Sequence, residues 1–291
     1  MTLHKVVIGG AQIGQKYGIS NTIGMPNIDE IDKILNLARK SGINYIDTAQ
    51  SYGKSEKILG NFSKSHWNLN TKFILNSEDL KSNSLKRLIS ERFKSSLKNL
   101  KTDRIYSVML HDISCLQDSS AQKIWQSLCE LKENNFVQKI GYSIYRPEHL
   151  DLIYKKFKPD IIQTPFNILD QRIKSSGWLD ILKKENVEVH ARSVFLQGLL
   201  LMESKDISLR FEKWSMEFKK LFNWFNDKGL SKLEGCLYFA FSEPKIDKFV
   251  IGINTEKELK QIIKILINNK NEVFDYISNV DDQNLLEPIN W

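Results

Sequence analysis

The sequence predicts an α/β fold of the (β/α)8 TIM-barrel type. Three observations carry that prediction. Short β-branched runs alternate with stretches of helical spacing, eight times along the chain. Strands that are each followed by a helix imply parallel pairing through right-handed crossovers, and eight of them close into a barrel. The length, 291 residues, suits one such barrel. The residues just past the strand ends are also far more polar than chance placement would suggest, at the end of a barrel where chemistry sits. An open doubly wound sheet is the alternative fold.

The elements follow in order. KVVIGG, residues 5–10, reads as the first strand. After a polar loop comes NIDEIDKILNLARKSG, in which Asn27 caps, Glu30 completes a capping box, and Ile28, Ile31, Leu35 and Ala38 share one face before Gly42 ends the helix. INYID, residues 43–47, leads to a helix beginning near Ser55. The third strand is expected over KFILN, residues 72–76, ahead of a helix to Leu100 with Leu85, Leu88, Ile89, Phe93 and Leu97 as its apolar stripe. IYSVML, KIGYS, DIIQT and VEVHARS are strands four to seven, with helices around Trp125, after Pro147, around Leu179 and through Ala240. KFVIGI is the eighth, before a last helix with Leu259, Ile262, Ile263 and Leu266 in phase. The extra length over residues 199–247 predicts an accessory segment, whose Phe211, Trp214, Phe222, Trp224 and Phe225 read as helix packing. No Pro/Gly/Ser linker or composition shift divides the chain, so residues 1–291 read as a single domain.

Composition excludes several classes. No run approaches the ~20 apolar residues of a membrane helix. The N-terminus carries no long apolar segment ending in a small-residue cleavage site, so a cytoplasmic protein without membrane contact is expected. Cys115, Cys129 and Cys236 are odd in number and form no CxxC pair, which argues against a disulfide framework or a metal site. The net charge of +7 is mostly dispersed lysine with little arginine, so nucleic acid is not the expected partner. GGAQIGQK, residues 9–16, has Gln15 where a phosphate loop needs lysine and lacks the GxGxxG spacing. This first loop is expected to wall a substrate site.

Just past the strand ends stand Asp47 with Tyr52, Asn76, His111, Ser143, Gln163, Arg192 with Ser193, and Gly252 with Asn254. A phenol is a poor acid, with an ordinary pKa of about 10. Beside an imidazole and a cation, however, it can protonate an alkoxide forming as hydride reaches a carbonyl carbon. Asp47 would orient that group, Tyr52 donate the proton and His111 align the carbonyl.

GINYIDTAQSYGKSEKILG, LHD at 110–112, IGYSIYRPEHL at 140–150, DIIQTPFNILDQR at 160–172 and RSVFLQGLLL at 192–201 together resemble the aldo-keto reductases, in order and over nearly the whole chain. Closest in feel are bacterial members often associated with surface-polysaccharide synthesis. The resemblance implies a (β/α)8 barrel that reduces a small-molecule carbonyl with NADP or NAD. It carries catalytic roles to Asp47, Tyr52 and His111, and the holding of the nicotinamide carboxamide to Ser143 and Gln163. Arg192 falls where many relatives place an aromatic on the nicotinamide ring, and a planar guanidinium can also stack. The backbone from Ser193 through Leu196 to Gly198, with Gly252, Asn254 and Thr255, matches the family's phosphate and ribose contacts, as a helix N-terminus with free N–H groups suits an anion. Thr255 and Glu258 also read as a plain capping box.

Two departures are expected. The family's fourth catalytic residue is a lysine at the end of the third strand, where this chain has Asn76. Lys72 is placed at the strand's other end, roughly 13 Å away at ~3.3 Å per residue. Loss of that cation leaves three readings open: a weakened reductase, a barrel using its cofactor for another step, or a noncatalytic barrel binding a nucleotide or protein partner. In the last helix, positions that carry an arginine and an asparagine in NADPH-specific relatives hold Glu258 and Ile262, which leaves NADP versus NAD open.

Overall fold

Val6, Val7 and Ile8 begin the first of eight parallel strands that close on themselves in sequence order. The computed structural model describes residues 2–62, 67–268, 274 and 276–291. The strands are β1 (Val6–Gly9), β2 (Tyr45–Asp47), β3 (Asn68–Phe73), β4 (Ile105–Leu110), β5 (Val137–Ser143), β6 (Ile161–Pro165), β7 (Glu188–Arg192) and β8 (Lys248–Gly252). Pairing of β1 with both β2 and β8 completes the ring. This is the expected (β/α)8 barrel, and the open sheet is excluded by its closure. Gly9 lies opposite Asp47 on one side and Gly252 on the other, so two of the expected site positions, Asp47 and Gly252, are level at the C-terminal ends of the strands. Ser143 lies opposite Gln163 in the same way.

The helix Ile28–Lys40 starts as expected, with the Asn27 side chain accepting the Glu30 N–H at 2.8 Å. Its buried face is Ile31, Ile34, Leu35 and Ala38, and Ile28 stays exposed. The Glu30 carboxylate does not close a capping box. It reaches across to accept the Glu256 N–H at 2.6 Å, joining this helix to the last long one, Glu256–Ile267, which the short helix Gln283–Leu286 follows.

The third strand differs from its expected span. It begins at Asn68 and ends at Phe73, so Lys72 stands at its C-terminal end, and Asn76 lies beyond it. Leu69 is buried, and the Thr71 hydroxyl bonds Glu56 on the neighbouring helix at 2.7 Å, so Lys72, of opposite parity, points to the barrel interior. Asn76 is exposed and caps the short helix Ser77–Leu80, its side chain accepting the Glu78 and Asp79 N–H groups in a full capping box. The asparagines of NLNT, residues of low β-propensity, hide the strand's beginning, while the apolar FIL draws its expected span towards the loop.

The accessory segment brings the helices Ser215–Asp227 and Lys232–Phe241 against the barrel. Phe211, Phe222 and Phe225 are buried and Trp214 and Trp224 partly so, as helix packing requires. Among the described residues no helix is long and apolar enough to cross a membrane.

Candidate active site

At the C-terminal end of the barrel the carboxylate of Asp47 meets the ammonium of Lys72 at 2.7 and 2.6 Å, one N···O distance to each oxygen. Gln163 adds an amide N–H to the first oxygen at 2.7 Å. All three side chains are buried. Burial pulls the Lys72 ammonium below its ordinary value and the Asp47 charge opposes that pull. The expectation that Asn76 replaces the cation is therefore corrected: Lys72 occupies the site, because the strand begins four residues earlier than KFILN suggests.

Tyr52 lies beyond β2 on a turn held by close backbone packing with the first loop. The Lys54 N–H donates to Gly14 at 3.1 Å. A Cβ at Gly14 would lie 1.9 Å from the Tyr52 carbonyl oxygen, so only glycine permits this approach. The Lys72 Nζ is 5.3 Å from the Tyr52 ring centroid, and the His111 ring stands edge-on to the same ring at 5.6 Å. Burial, then the Asp47 charge, holds the Tyr52 phenol well above its ordinary value, so it stays protonated. His111 is pushed down to about 3, first by burial and then by Lys72 and Arg192, so it is a neutral imidazole. Its Nδ1 lies 3.0 Å from the Ser51 hydroxyl, leaving Nε2 as the other polar atom of the ring.

A cavity of about 260 Å³ opens above Asp47, Tyr52 and Gln163, with His111 and Lys72 behind them and outside its lining. Asp47, Tyr52, Gln163, Arg192, Ser193, Gly198, Gly252 and Asn254 all reach it, so the structure gathers most of the expected positions around one space. The first loop walls it through Gly10, Gln12 and Tyr17. Tyr17 is pushed up to about 12 by burial and by Tyr52. Ser143 is buried beside Gln163 and Leu196 is buried too, and neither they nor Thr255 line the cavity. Asn76 takes no part. Ser193, Leu196, Gln197 and Gly198 all have left-handed backbone, φ 61°, 46°, 54° and 91°, a strained turn of the kind found at ligand clamps. Arg192 lays its guanidinium 4.4 Å from the Tyr145 ring centroid and donates to the Ile144 carbonyl at 3.1 Å.

The far end of the cavity is less open to anions than the sequence suggests. Thr255 caps the last helix by accepting the Glu258 N–H at 3.1 Å, but Glu258 accepts the Asn254 N–H at 2.7 Å and Glu30 that of Glu256. Three N–H groups around this helix start are thus already engaged by side chains of the chain itself.

A family model for the aldo/keto reductases matches residues 5–282. The chain belongs to that family. An uncharacterized oxidoreductase of Bacillus subtilis, YqkF, is 28% identical over 251 residues, spanning 79% of this chain and 80% of that protein. The chloroplastic pyridoxal reductase of Arabidopsis thaliana is 29% identical over 153 residues, 45% of this chain and 39% of that protein. The holo form of an aldo-keto reductase from Bacillus halodurans superposes with a TM-score of 0.72 at 20% identity, covering 93% and 94% of the two chains, a likeness of fold.

Lys72, Ser51, Tyr17 and Tyr145 escaped the sequence reading as site residues. Only Lys72 had an available signal: Asn68, Asn70 and Lys72 alternate with Leu69, Thr71 and Phe73, the period of a strand with one polar face.

Proposed function

We propose that this aldo/keto reductase reduces an aldehyde, ketone or sugar intermediate by hydride transfer from NADPH or NADH, with Tyr52 as the proton donor. The observation that carries the reading is the Lys72–Asp47 pair beside the Tyr52 ring, at the head of a cavity that continues to Asn254. When bound, a reduced nicotinamide supplies the hydride.

The protein's part is to position and to move one proton. Ser143 and Gln163, adjacent on β5 and β6, would hold the carboxamide, and Arg192 would border the ring. The left-handed turn from Ser193 to Gly198, with Gly252 beside it, fits a phosphate-bearing group, since both line the same cavity, whereas the Asn254 N–H is taken by Glu258. Glu30, Glu258 and Thr255 take three N–H groups near the last helix, and the Leu196 and Gly198 N–H groups close on the turn's own Ser193 and Phe195 carbonyls, so we assign the phosphate to the rest of the turn's backbone rather than to Thr255. A neutral His111 can donate from Nε2 to the carbonyl oxygen when the Ser51 hydroxyl donates to Nδ1. The protonated Tyr52 then transfers its proton to the developing alkoxide, and the Lys72 ammonium stabilises the phenolate left behind. Asp47 neutralises Lys72 in the resting site and fixes its direction.

We further read the enzyme as a single-domain cytoplasmic protein, with a saccharide intermediate as the substrate class its subgroup resemblance favours. The noncatalytic reading rested on a missing cation, and Lys72 removes that ground.

The test is a titration with NADPH and NADH followed by nicotinamide fluorescence, then turnover of a panel of aldehydes and ketones by the parent and Tyr52→Phe proteins. Saturable binding by both and a loss of turnover of about a hundredfold or more in the variant are expected. No binding at millimolar cofactor, or equal turnover, overturns the reading.

A further inference from the structure

The opposite end of the barrel carries a second concavity, of about 530 Å³, at the N-terminal ends of the strands. Lys5, Lys139, Lys183 and Lys248 line it together with the carboxylates of Glu188 and Asp247. The two carboxylates are already engaged. Glu188 accepts from Lys139, from the Tyr106 hydroxyl at 2.6 Å and meets the His190 Nε2 at 2.5 Å. Asp247 accepts from Lys183 at 3.0 Å and from the Val189 N–H at 2.8 Å. Among the described residues Lys5 and Lys248 donate only to neutral carbonyls, those of Ile246 and His4, at 2.8 and 2.7 Å.

Four ammonium groups thus face two carboxylates in one recess, a surplus of two positive charges. An ammonium has three N–H donors, so Lys5 and Lys248 retain capacity beyond these carbonyls. Both are half-buried, and burial lowers their proton affinity; Asp247 opposes this at Lys5, with Glu243 behind it, and Glu188 and Asp247 oppose it at Lys248, while neighbouring lysines add a smaller repulsion. Lys248 also sits 4.1 Å from the Tyr45 ring centroid, which restricts its position. The base of a barrel ordinarily serves stability, and gathering like charges does not.

We propose that this basal recess binds a small phosphate-type anion of charge two or more, held chiefly by Lys5 and Lys248. Lysine binds phosphate as a point charge, and a monovalent carboxylate would match only half of the surplus. The site is separate from the cavity at the C-terminal end and does not rest on the reductase reading.

Calorimetric titration of the full-length protein with pyrophosphate and with inorganic phosphate, in a zwitterionic buffer at low ionic strength, tests it. Pyrophosphate is expected to bind at least about tenfold more tightly than acetate, and Lys5→Gln/Lys248→Gln to weaken it by about tenfold or more. Lys219→Gln, an exposed position on the helix Ser215–Asp227 remote from both cavities, leaves this binding unchanged. Lys183→Gln, an exposed position, gives a smaller loss and serves if the double variant does not fold. Independently, pyrophosphate should slow acylation of Lys5 and Lys248, read by peptide mass spectrometry, more than that of exposed lysines elsewhere. Absence of binding at about 10 mM, loss of binding in Lys219→Gln but not in the basal variants, or no selective protection would each overturn the proposal.

Discussion

Lys72 donates to both oxygens of Asp47 with the two side chains only 0% and 2% exposed. A pair this dry is costly to break, because removing one partner strands the other's charge in a buried site. Lys72→Met is therefore expected to lower folding stability by about 3–5 kcal/mol. Adding Asp47→Asn to that variant should restore part of the loss, since the stranded carboxylate is then gone. Urea unfolding of the three proteins decides it. A single variant within about 1 kcal/mol of the parent means that water reaches the pair.

Asn76 supplies the opposite expectation. Its side chain accepts two N–H groups at the start of Ser77–Leu80, and Asp79 answers by accepting the Asn76 N–H at 2.8 Å. Asn76→Ala should cost about 0.5–2 kcal/mol, as cap removal does, and leave carbonyl turnover unchanged. A kcat that fell in step with Lys72→Met would return Asn76 to the site.

The difference between these two residues also shows what could be read beforehand. Seven strands declared themselves through β-branched runs, and their polar ends named Asp47, Tyr52, His111 and Gln163. The third strand did not, because its inward positions Asn68, Asn70 and Lys72 have low β-propensity and the apolar residues 73–75 extend past its end. Once its span is misplaced by a few residues, Lys72 is sent to the wrong end of the barrel. Ser51 and Tyr145 act through geometry alone: a hydroxyl 3.0 Å from an imidazole and a ring beneath a guanidinium leave no spacing signature. The diversion of Glu30 from its own helix to the Glu256 N–H needs two helices far apart in sequence to meet.

His111 predicts a pH dependence with a definite sign. Unfolded, it takes a proton near pH 6.5; folded, it does so only at about 3. Between those values the unfolded chain holds more protons, so this group makes stability fall as pH falls from about 6.5 towards 3, and adds no slope above that window. The parent should lose about 2–3 kcal/mol more than His111→Gln on going from pH 7 to 4.5. Denaturant midpoints at the two values check this, and equal losses would mean that the imidazole is hydrated enough to ionise in place.

Gly14 should be intolerant of a single methyl group. Its Cβ would lie 1.9 Å from the Tyr52 carbonyl oxygen and 2.5 Å from the Ser55 nitrogen, both backbone atoms that cannot rotate away. Gly14→Ala is expected to move the Tyr52 turn, costing about 1–3 kcal/mol of stability and tenfold or more of kcat. Cofactor affinity should change far less, since Gly14 itself is not among the residues lining the cavity. Turnover equal to the parent's would show that the first loop adjusts without carrying Tyr52 with it.

Glu258 sets the expectation for cofactor choice. It lines the far end of the cavity, and its carboxylate accepts the Asn254 N–H at 2.7 Å while Glu30 accepts that of Glu256. Two carboxylates therefore sit at the positive end of the last helix, offsetting the partial charge that would attract a phosphate. A cofactor bearing a 2′-phosphate brings two further negative charges towards them, whereas ribose hydroxyls can donate to a carboxylate. NADH should bind more tightly than NADPH, and Glu258→Gln should strengthen NADPH binding by about three- to tenfold, or ~0.7–1.4 kcal/mol, with NADH nearly unchanged. Fluorescence titrations of both cofactors against both proteins measure this directly. If the substitution shifts the two cofactors equally, Glu258 acts by shaping the start of the helix rather than by its charge.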